Sequence, residues 1–338
     1  MIAALDLPTA DARARGLSSH LLSRAELERL AQSGSLVEVA QALARSGRLT
    51  APIEAPATVE TIDLAIRRTS SRRLAVIAKW TGSRAALDVF FADQDRKIVR
   101  AAVRGAIQGA RVASRLAGLL ATPRLPERAL SELARQPTPA KVADHLVVLR
   151  HPYAEVLVSQ TAHAHPTLFD LELALVRAFA ARSMAAARRG DAGLVGYVRH
   201  RVDVCNLELA LKLANDPKDV DPESCFVALG SALRREAFVA AARAPTVGEA
   251  MKLLAKTDLG ALVATMDADP GRIERVALTR AIAEQRRASR LDPLGSAALV
   301  SFLLRLEAQS LDLHRIVSAV SLGAPASLVL PELVTPWS

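Results

Sequence analysis

The side chains able to bind a metal or act as acid, base or nucleophile are few and scattered. His163 and His165, in the string THAH, are a closely spaced pair. A spacing of two turns them to different faces of a helix, and no cysteine or carboxylate pair accompanies them, so they do not read as zinc ligands. His151, His200 and His314 stand alone and read as packing or surface residues. Cys205 and Cys225 are too few for a disulfide framework and lack CxxC spacing, which suits a reducing compartment. There is no GxxxxGK[ST] phosphate loop, no GxGxxG after a strand, no GxSxG elbow and no HExxH pair. The expectation is a chain without catalytic residues, cofactor, metal or directly bound nucleotide.

Charge is the other chemistry on offer. Lys and Arg number 44 against 35 Asp and Glu, a net charge of +9. Such a balance favours anionic partners: nucleic acid, acidic protein faces or the cytoplasmic leaflet of a membrane. Arginines cluster at Arg67-Arg68, Arg72-Arg73, Arg188-Arg189, Arg234-Arg235 and Arg286-Arg287 with Arg290. Solvated helix faces account for them, and so does a docking surface for acidic helices. Aromatics are not interleaved with the basic residues as base stacking requires, and no helix-turn-helix or zinc-finger spacing occurs. Arg286, Arg287 and Arg290, just ahead of the last long helix, are the candidate partner contact.

The elements that carry these residues read as helical throughout. Hydrophobic residues make up 51% of the 338, but aromatics only 3%. The core must therefore be built from Ala, Leu and Val, which favour closely packed helices. Within Tyr197 to Asn215, the residues Val198, Val202, Cys205, Leu209 and Leu213 step by four, three and four, one stripe of a helix. Asp203 and Asn206 lie beside that stripe. Polar groups there can satisfy neighbouring backbone and fix how one helix seats on the next.

Weaker copies of two segments recur along the chain. Leu27, Leu30, Ser35 and Leu43 share their spacing with Leu130, Leu133, Thr138 and Leu146, and with Phe238, Ala241, Thr246 and Leu254. The third position is Ser or Thr each time, as a helix N-cap requires. About 70 residues beyond each set come Asp95, Asp203 and Gln309, followed by Ile98-Val99, Asn206-Leu207 and Asp312-Leu313. Gly109 and Gly323 stand 14 residues past Asp95 and Gln309, where a helix would end in a left-handed cap; Pro217 takes that place in the middle copy. The expected fold class is all-α, with three similar helical units in residues 1–122, 123–222 and 223–338 around an approximate threefold axis.

Finer expectations follow from capping and breaking residues. Residues 10–48 read as two helices, with a capping box from Ser23 to Glu26, and 49–58 as a linker. A long helix is expected from Ser83 to about Leu120, weakened at Gly105, Gly109 and Gly118. Others span about Thr167 to Arg188 and, in a seven-residue stripe, Leu299, Leu306, Leu313 and Val320. Thr246 to Glu249 reads as a second capping box, Asp221-Pro222 as a helix start and Asp267 to Gly271 as a turn. The N-terminus does not read as a secretory signal, and the longest apolar run, Ala297 to Leu304 broken by Ser301, is too short to span a bilayer.

Three stretches, in order, carry a family resemblance: ADARARGLSSHLLSRAELERLAQSGSLVEVAQAL, YVRHRVDVCNLELALK and DPLGSAALVSFLLRLEAQSLDLHRIVSAVSLGAP. Together they resemble the C subunit of archaeal and bacterial V/A-type rotary ATPases, counterpart of the eukaryotic vacuolar d subunit. The family's D-x-x-N-L is kept at Asp203 to Leu207, but reads D-x-x-I-V from Asp95 and Q-x-x-D-L from Gln309. The resemblance implies a non-catalytic funnel of three units that receives the foot of the central shaft and rests on the membrane proteolipid ring. It implies torque transmission for proton or sodium transport linked to ATP synthesis or hydrolysis. It also implies a place on the cytoplasmic face, held by those partners and not as a homo-oligomer. A free-standing basic helical-repeat scaffold that binds RNA or an acidic protein is the alternative.

Overall fold

A Ser or Thr at the repeated position starts a helix in all three places. In the computed structural model Ser35, Thr138 and Thr246 sit in extended backbone, and each side chain accepts the N–H three residues on, from Glu38, Lys141 and Glu249. Each oxygen satisfies a donor that the first helical turn leaves open. The hydrophobic positions of the repeat follow suit: Leu27, Leu43, Leu130, Leu133, Leu146, Phe238, Ala241 and Leu254 are all fully buried.

The structure describes residues 7–80, 85–163, 167–216, 220–266 and 269–335. Ser83, His165, Pro217, the first two residues of the Asp267 turn and the last three of the chain lie outside them. Among the described residues there are α-helices and short 3-10 turns but no strand. In chain order the helices are α1 (Leu7–Ser18), α2 (Arg24–Ala31), α3 (Leu36–Ser46), α4 (Val59–Trp80), α5 (Ala85–Gln108), α6 (Val112–Leu116), α7 (Glu127–Ala134), α8 (Pro139–Val148) and α9 (Ala154–Thr161). After them come α10 (Leu168–Ala187), α11 (Ala192–Asn215), α12 (Pro222–Cys225), α13 (Arg235–Ala242), α14 (Val247–Leu254), α15 (Gly260–Ala264), α16 (Ile273–Leu291), α17 (Ala297–Ser321) and α18 (Ala326–Val329).

Local chemistry explains the departures from expectation. Residues 10–48 hold parts of three helices rather than two, because the Ser23–Glu26 capping box starts a fresh helix only five residues after α1 ends. The long helix expected to reach Leu120 ends at Gln108. Gly109 takes φ 63° and the Ala110 N–H bonds back to the Gly105 carbonyl at 2.9 Å, a left-handed stop. Gly323 does the same at the end of α17, where the Ala324 N–H reaches the Ala319 carbonyl at 2.9 Å. Thr246 caps α14, but the Glu249 side chain does not complete the box. Asp221 caps α12 with Pro222 in its first turn.

Each short helix pair packs on one long helix: α7 and α8 on α5, α13 and α14 on α11, α2 and α3 on α17. The long helices pack on one another, α5 against α10, α10 against α11 and α16 against α17, while α4 packs on α17 and α1. Two hydrophobic cores result. The larger runs through α5, α10, α11 and α16 with the pairs attached to them. The smaller joins the two ends of the chain: Leu27, Val39, Leu43, Ile62 and Ile66 meet Leu313, Ile316, Val317, Val329 and Leu333.

Candidate functional site

The repeated polar residues on the long helices hold distant backbone, in three places the stretch that leads into a helix pair and, at Asp312, the segment that follows α18. On α11 the Asp203 carboxylate is fully buried and accepts three N–H groups, those of Ser231 and Ala232 at 2.9 Å and of Leu233 at 3.1 Å. Gly230 allows this approach, since a Cβ there would lie 2.0 Å from the carboxylate. One turn on, Asn206 makes a two-point bond, accepting the Val227 N–H at 3.1 Å and donating to the Val227 carbonyl at 3.0 Å. On α17 Gln309 accepts the Leu22 N–H at 2.7 Å, and Asp312 accepts those of Val334 and Thr335 at 2.7 and 2.8 Å. On α5 Asp95 works through Thr122, whose hydroxyl donates to it at 2.6 Å and accepts the Leu125 N–H at 3.0 Å. His151 Nε2 lies 3.1 Å from the other Asp95 oxygen, with both side chains buried.

Leu22, Leu125 and Leu233 each stand five residues before the start of a repeat, at Leu27, Leu130 and Phe238. The clasps therefore run in a cycle. The first long helix holds the entry to the second pair, the middle one the entry to the third, and the last one the entry to the first, 287 residues back along the chain. A buried backbone N–H without an acceptor costs about 1–3 kcal/mol, so these polar groups fix which segment may pack there.

A second polar system crosses the interior. Asp93, Arg96 with Lys97, Arg100 and Arg104 recur along α5 every three or four residues, so they share a face. Asp93 is ringed by Arg96 at 2.7 Å, Arg201 of α11 at 3.0 Å and Lys97 at 3.2 Å. Burial alone would raise its carboxyl, yet Arg201, Lys97 and Arg96 hold it well below the ordinary range. Lys97 also pairs with Glu307 of α17, which accepts from Gln94 at 2.8 Å. Further along, Arg100 bridges Glu208 of α11 and Glu274 of α16, and Lys212 joins Glu208 at 2.8 Å to Glu172 of α10 at 2.5 Å. Burial works to raise Glu172 and Glu274. Lys212 with Arg104 lowers the first, and Arg100 with Lys97 brings the second to about 2.

These last residues line a cavity of about 710 Å³, together with Asn215 and Phe169. It lies far from the turns that join the long helices: Arg100 is 15 residues from the start of α5 and Glu274 is 17 from the end of α16. At about 1.5 Å per residue that is roughly 25 Å. The opposite end is drawn together, since Asp191 in the α10–α11 turn accepts the N–H of Ser296, next to α17, at 2.7 Å. The cavity wall carries both signs of charge, each already paired. Among the described residues no group there is poised to attack or to take a proton, and no three His, Cys, Asp or Glu gather to hold a metal.

Several of the expected arginines already have partners within the chain, although only Arg67 and Arg73 among them are buried. Arg67 pairs with Glu127 and Arg68 with Glu54, while Arg73 donates to the carbonyls of His20 and Arg48. Arg72 donates to the Thr50 carbonyl, Arg189 pairs with Asp88 and Arg235 lies over the Phe226 ring. Arg286 is half-buried, and Arg287 and Arg290 are exposed on the last turns of α16. They lie at the turn end, not at the cavity. Both cysteines are free, and burial pushes their thiols up, which leaves them poor nucleophiles. His314 sits 2.8 Å from Asp63. The interior network was not among the sites expected from sequence. The stripe from Asp93 to Arg104 was the available signal.

Long helices locked by buried clasps, beside a cavity whose described charges are already matched, define an all-α protein. No membrane-crossing helix, long and apolar enough for the task, occurs among the described residues. The family described as ATP synthase (C/AC39) subunit matches residues 10–329, and the chain belongs to that family. It is thus a subunit of a V/A-type rotary ATPase, from a family that serves the stalk rather than catalysis. No individual curated protein matches the chain.

Proposed function

We propose that the chain is the non-catalytic coupling subunit of the central stalk, a socket between the rotating shaft and the membrane proteolipid ring. Three helical units, residues 1–122, 123–222 and 223–338, stand around a pseudo-threefold axis as a funnel. The observation that carries this reading is the cycle of clasps, in which each long helix grips the entry to another helix pair and the last grips the first. A closed ring of that kind resists being prised apart by torque. Its Ala- and Leu-rich core adds stiffness, because close-packed interiors transmit strain with little give.

The charged cavity at the far end of the long helices is the place for the shaft's helical foot. Arg100, Arg104 and Lys212 alternate there with Glu172, Glu208 and Glu274. The subunit needs no nucleotide or cofactor for this task and binds no nucleic acid. It is held on the cytoplasmic face by the shaft and the ring, not by self-association. Ion movement and ATP synthesis or hydrolysis are coupled through its rotation. Arg286, Arg287 and Arg290 face an anionic partner outside the socket.

A photo-crosslinking side chain at Asn215, exposed on the cavity wall, tests the socket in the assembled complex. Crosslinks to the shaft subunit are expected. Crosslinks confined to the proteolipid ring or the catalytic head would contradict the assignment.

A further inference from the structure

Charge left without a counter-ion gathers at the opposite end from the cavity. Arg286, Arg287 and Arg290 on the last turns of α16 and Arg305 on α17 pair with no carboxylate among the described residues. Glu284, earlier on α16, is engaged by Arg280, and Asp292 turns back to accept the Leu294 N–H at 3.2 Å. Arg15 of α1 joins the group by donating to the Ser289 carbonyl at 3.2 Å. Arg305 is half-buried, and burial followed by the nearby Arg286 makes its guanidinium easier to deprotonate than usual. Like charges drawn together and partly desolvated are stabilised by an anion placed between them.

Apolar exposure marks the same place. Leu291, the last residue of α16, is 78% exposed, and Leu294 in the turn is 64% exposed. Both are held out on a fixed turn, because Asp191 grips the Ser296 N–H and so ties the α16–α17 turn to the α10–α11 turn. That neighbouring turn adds the exposed Arg188. Guanidiniums beside outward leucines make an amphipathic tip.

We propose that the α16–α17 tip contacts an anionic bilayer surface, with Arg286, Arg287, Arg290 and Arg305 at lipid headgroup phosphates and Leu291 and Leu294 entering the acyl boundary. Arginine suits phosphate because its planar fork donates two parallel hydrogen bonds. The leucines decide between partners. A nucleic acid would use the arginines but gain nothing from two aliphatic side chains, which do not stack on bases as aromatic rings do. A protein loop bearing only acidic side chains would use the arginines and leave the leucines in water. A bilayer rewards both features, through electrostatic attraction near the surface and burial of apolar area at the interface. The assignment deepens the partner-facing role given above to these arginines, and rests on that reading only for what brings the bilayer near.

The test uses the purified full-length chain and vesicles of phosphatidylcholine, with or without an equal share of phosphatidylglycerol. Co-sedimentation is expected with the mixed vesicles at low salt and to be lost with phosphatidylcholine alone or at high salt. Arg287→Glu with Arg290→Glu should weaken binding by about twenty-fold or more, since each basic residue near an anionic surface is worth roughly five-fold. Leu291→Ser with Leu294→Ser, which leaves the charge unchanged, should weaken it several-fold. Both pairs are exposed, so thermal unfolding should be unaltered, and the salt dependence of the unmodified chain is read without any variant. Binding that ignores the leucine pair would overturn the proposal in favour of charge-only docking on an acidic protein. Binding that ignores both pairs, or tighter binding to an RNA homopolymer that also ignores the leucines, would overturn it as well. None of these results depends on whether the chain co-isolates with the ATPase.

Discussion

The large core and the small core of this molecule are closed in different ways. In the large core, chain continuity runs directly from each long helix into the segment it clasps: Asp203 holds residues 231–233, fewer than 31 positions on. In the small core the partners come from opposite ends of the chain. Gln309 holds Leu22, Arg24 donates to the carbonyls of Leu330 and Thr335, and His314 meets Asp63. The Gln309 clasp that closes the ring is also weaker than the Asp203 clasp, one N–H on a neutral amide instead of three on a carboxylate. Closing the ring thus falls to side chains alone, so the small core is the part that should open first under strain.

The comparison can be broken or sharpened by mutation. The largest effect is expected for Asp93→Asn, which leaves Arg96 and Arg201 buried without a counter-charge. Losing one member of such a group typically costs about 3–5 kcal/mol, and calorimetry should find the whole chain destabilised. Asp203→Ala comes next, at roughly 2–4 kcal/mol, because three backbone N–H groups lose their acceptor. Gln309→Ala should cost about 1–3 kcal/mol. Hydrogen exchange should then quicken in α2 and α3 while α10 and α11 stay protected. Equal loss of protection in both cores would erase the distinction drawn between them.

The smallest effect is a pH dependence of opposite sign in the two cores. Burial opposes but Arg201, Lys97 and Arg96 depress the Asp93 carboxyl, so its stabilisation is full above the unfolded value near 4 and is lost as pH falls through the folded one. Glu172 behaves likewise, whereas Glu274, whose side chain is 54% exposed, adds little because solvent screens its pair. Asp312 in the small core runs the other way. Burial raises it despite its hydrogen bonds to Thr335 and Val334, so its contribution improves as pH falls and weakens as pH rises through the folded value. Denaturant unfolding of the unmodified chain should lose stability from pH 5 towards 3, and Asp93→Asn should flatten that slope. Parallel curves would show that Asp93 does not set it.

Much of the local structure was legible in the residues, and the reason is repetition. Ser35, Thr138 and Thr246 are N-caps because short polar side chains at one register were flanked each time by the same buried positions. Gly109 and Gly323 stop their helices in the left-handed region because no side chain opposes it. The polar residues Asp95, Asp203, Asn206, Gln309 and Asp312 were legible as packing groups, but not what they hold. Their backbone partners lie between 21 and 287 residues away, beyond any helical period. The interior network stayed hidden for a related reason. Asp93, Arg100 and Arg104 look like an ordinary solvated face until α10, α11 and α16 bring Glu172, Glu208 and Glu274 against them. The third helix before residue 48 was missed because the break between α1 and α2 carries neither Pro nor Gly, only Ser19 to Ser23.

Co-isolation from native membranes tests the stalk assignment most directly. The chain, carrying an affinity tag, should bring down the ATP-hydrolysing head subunits, the shaft and the proteolipid together in fixed proportion. Recovery of the chain alone, or with RNA and no ATPase subunit, would contradict it.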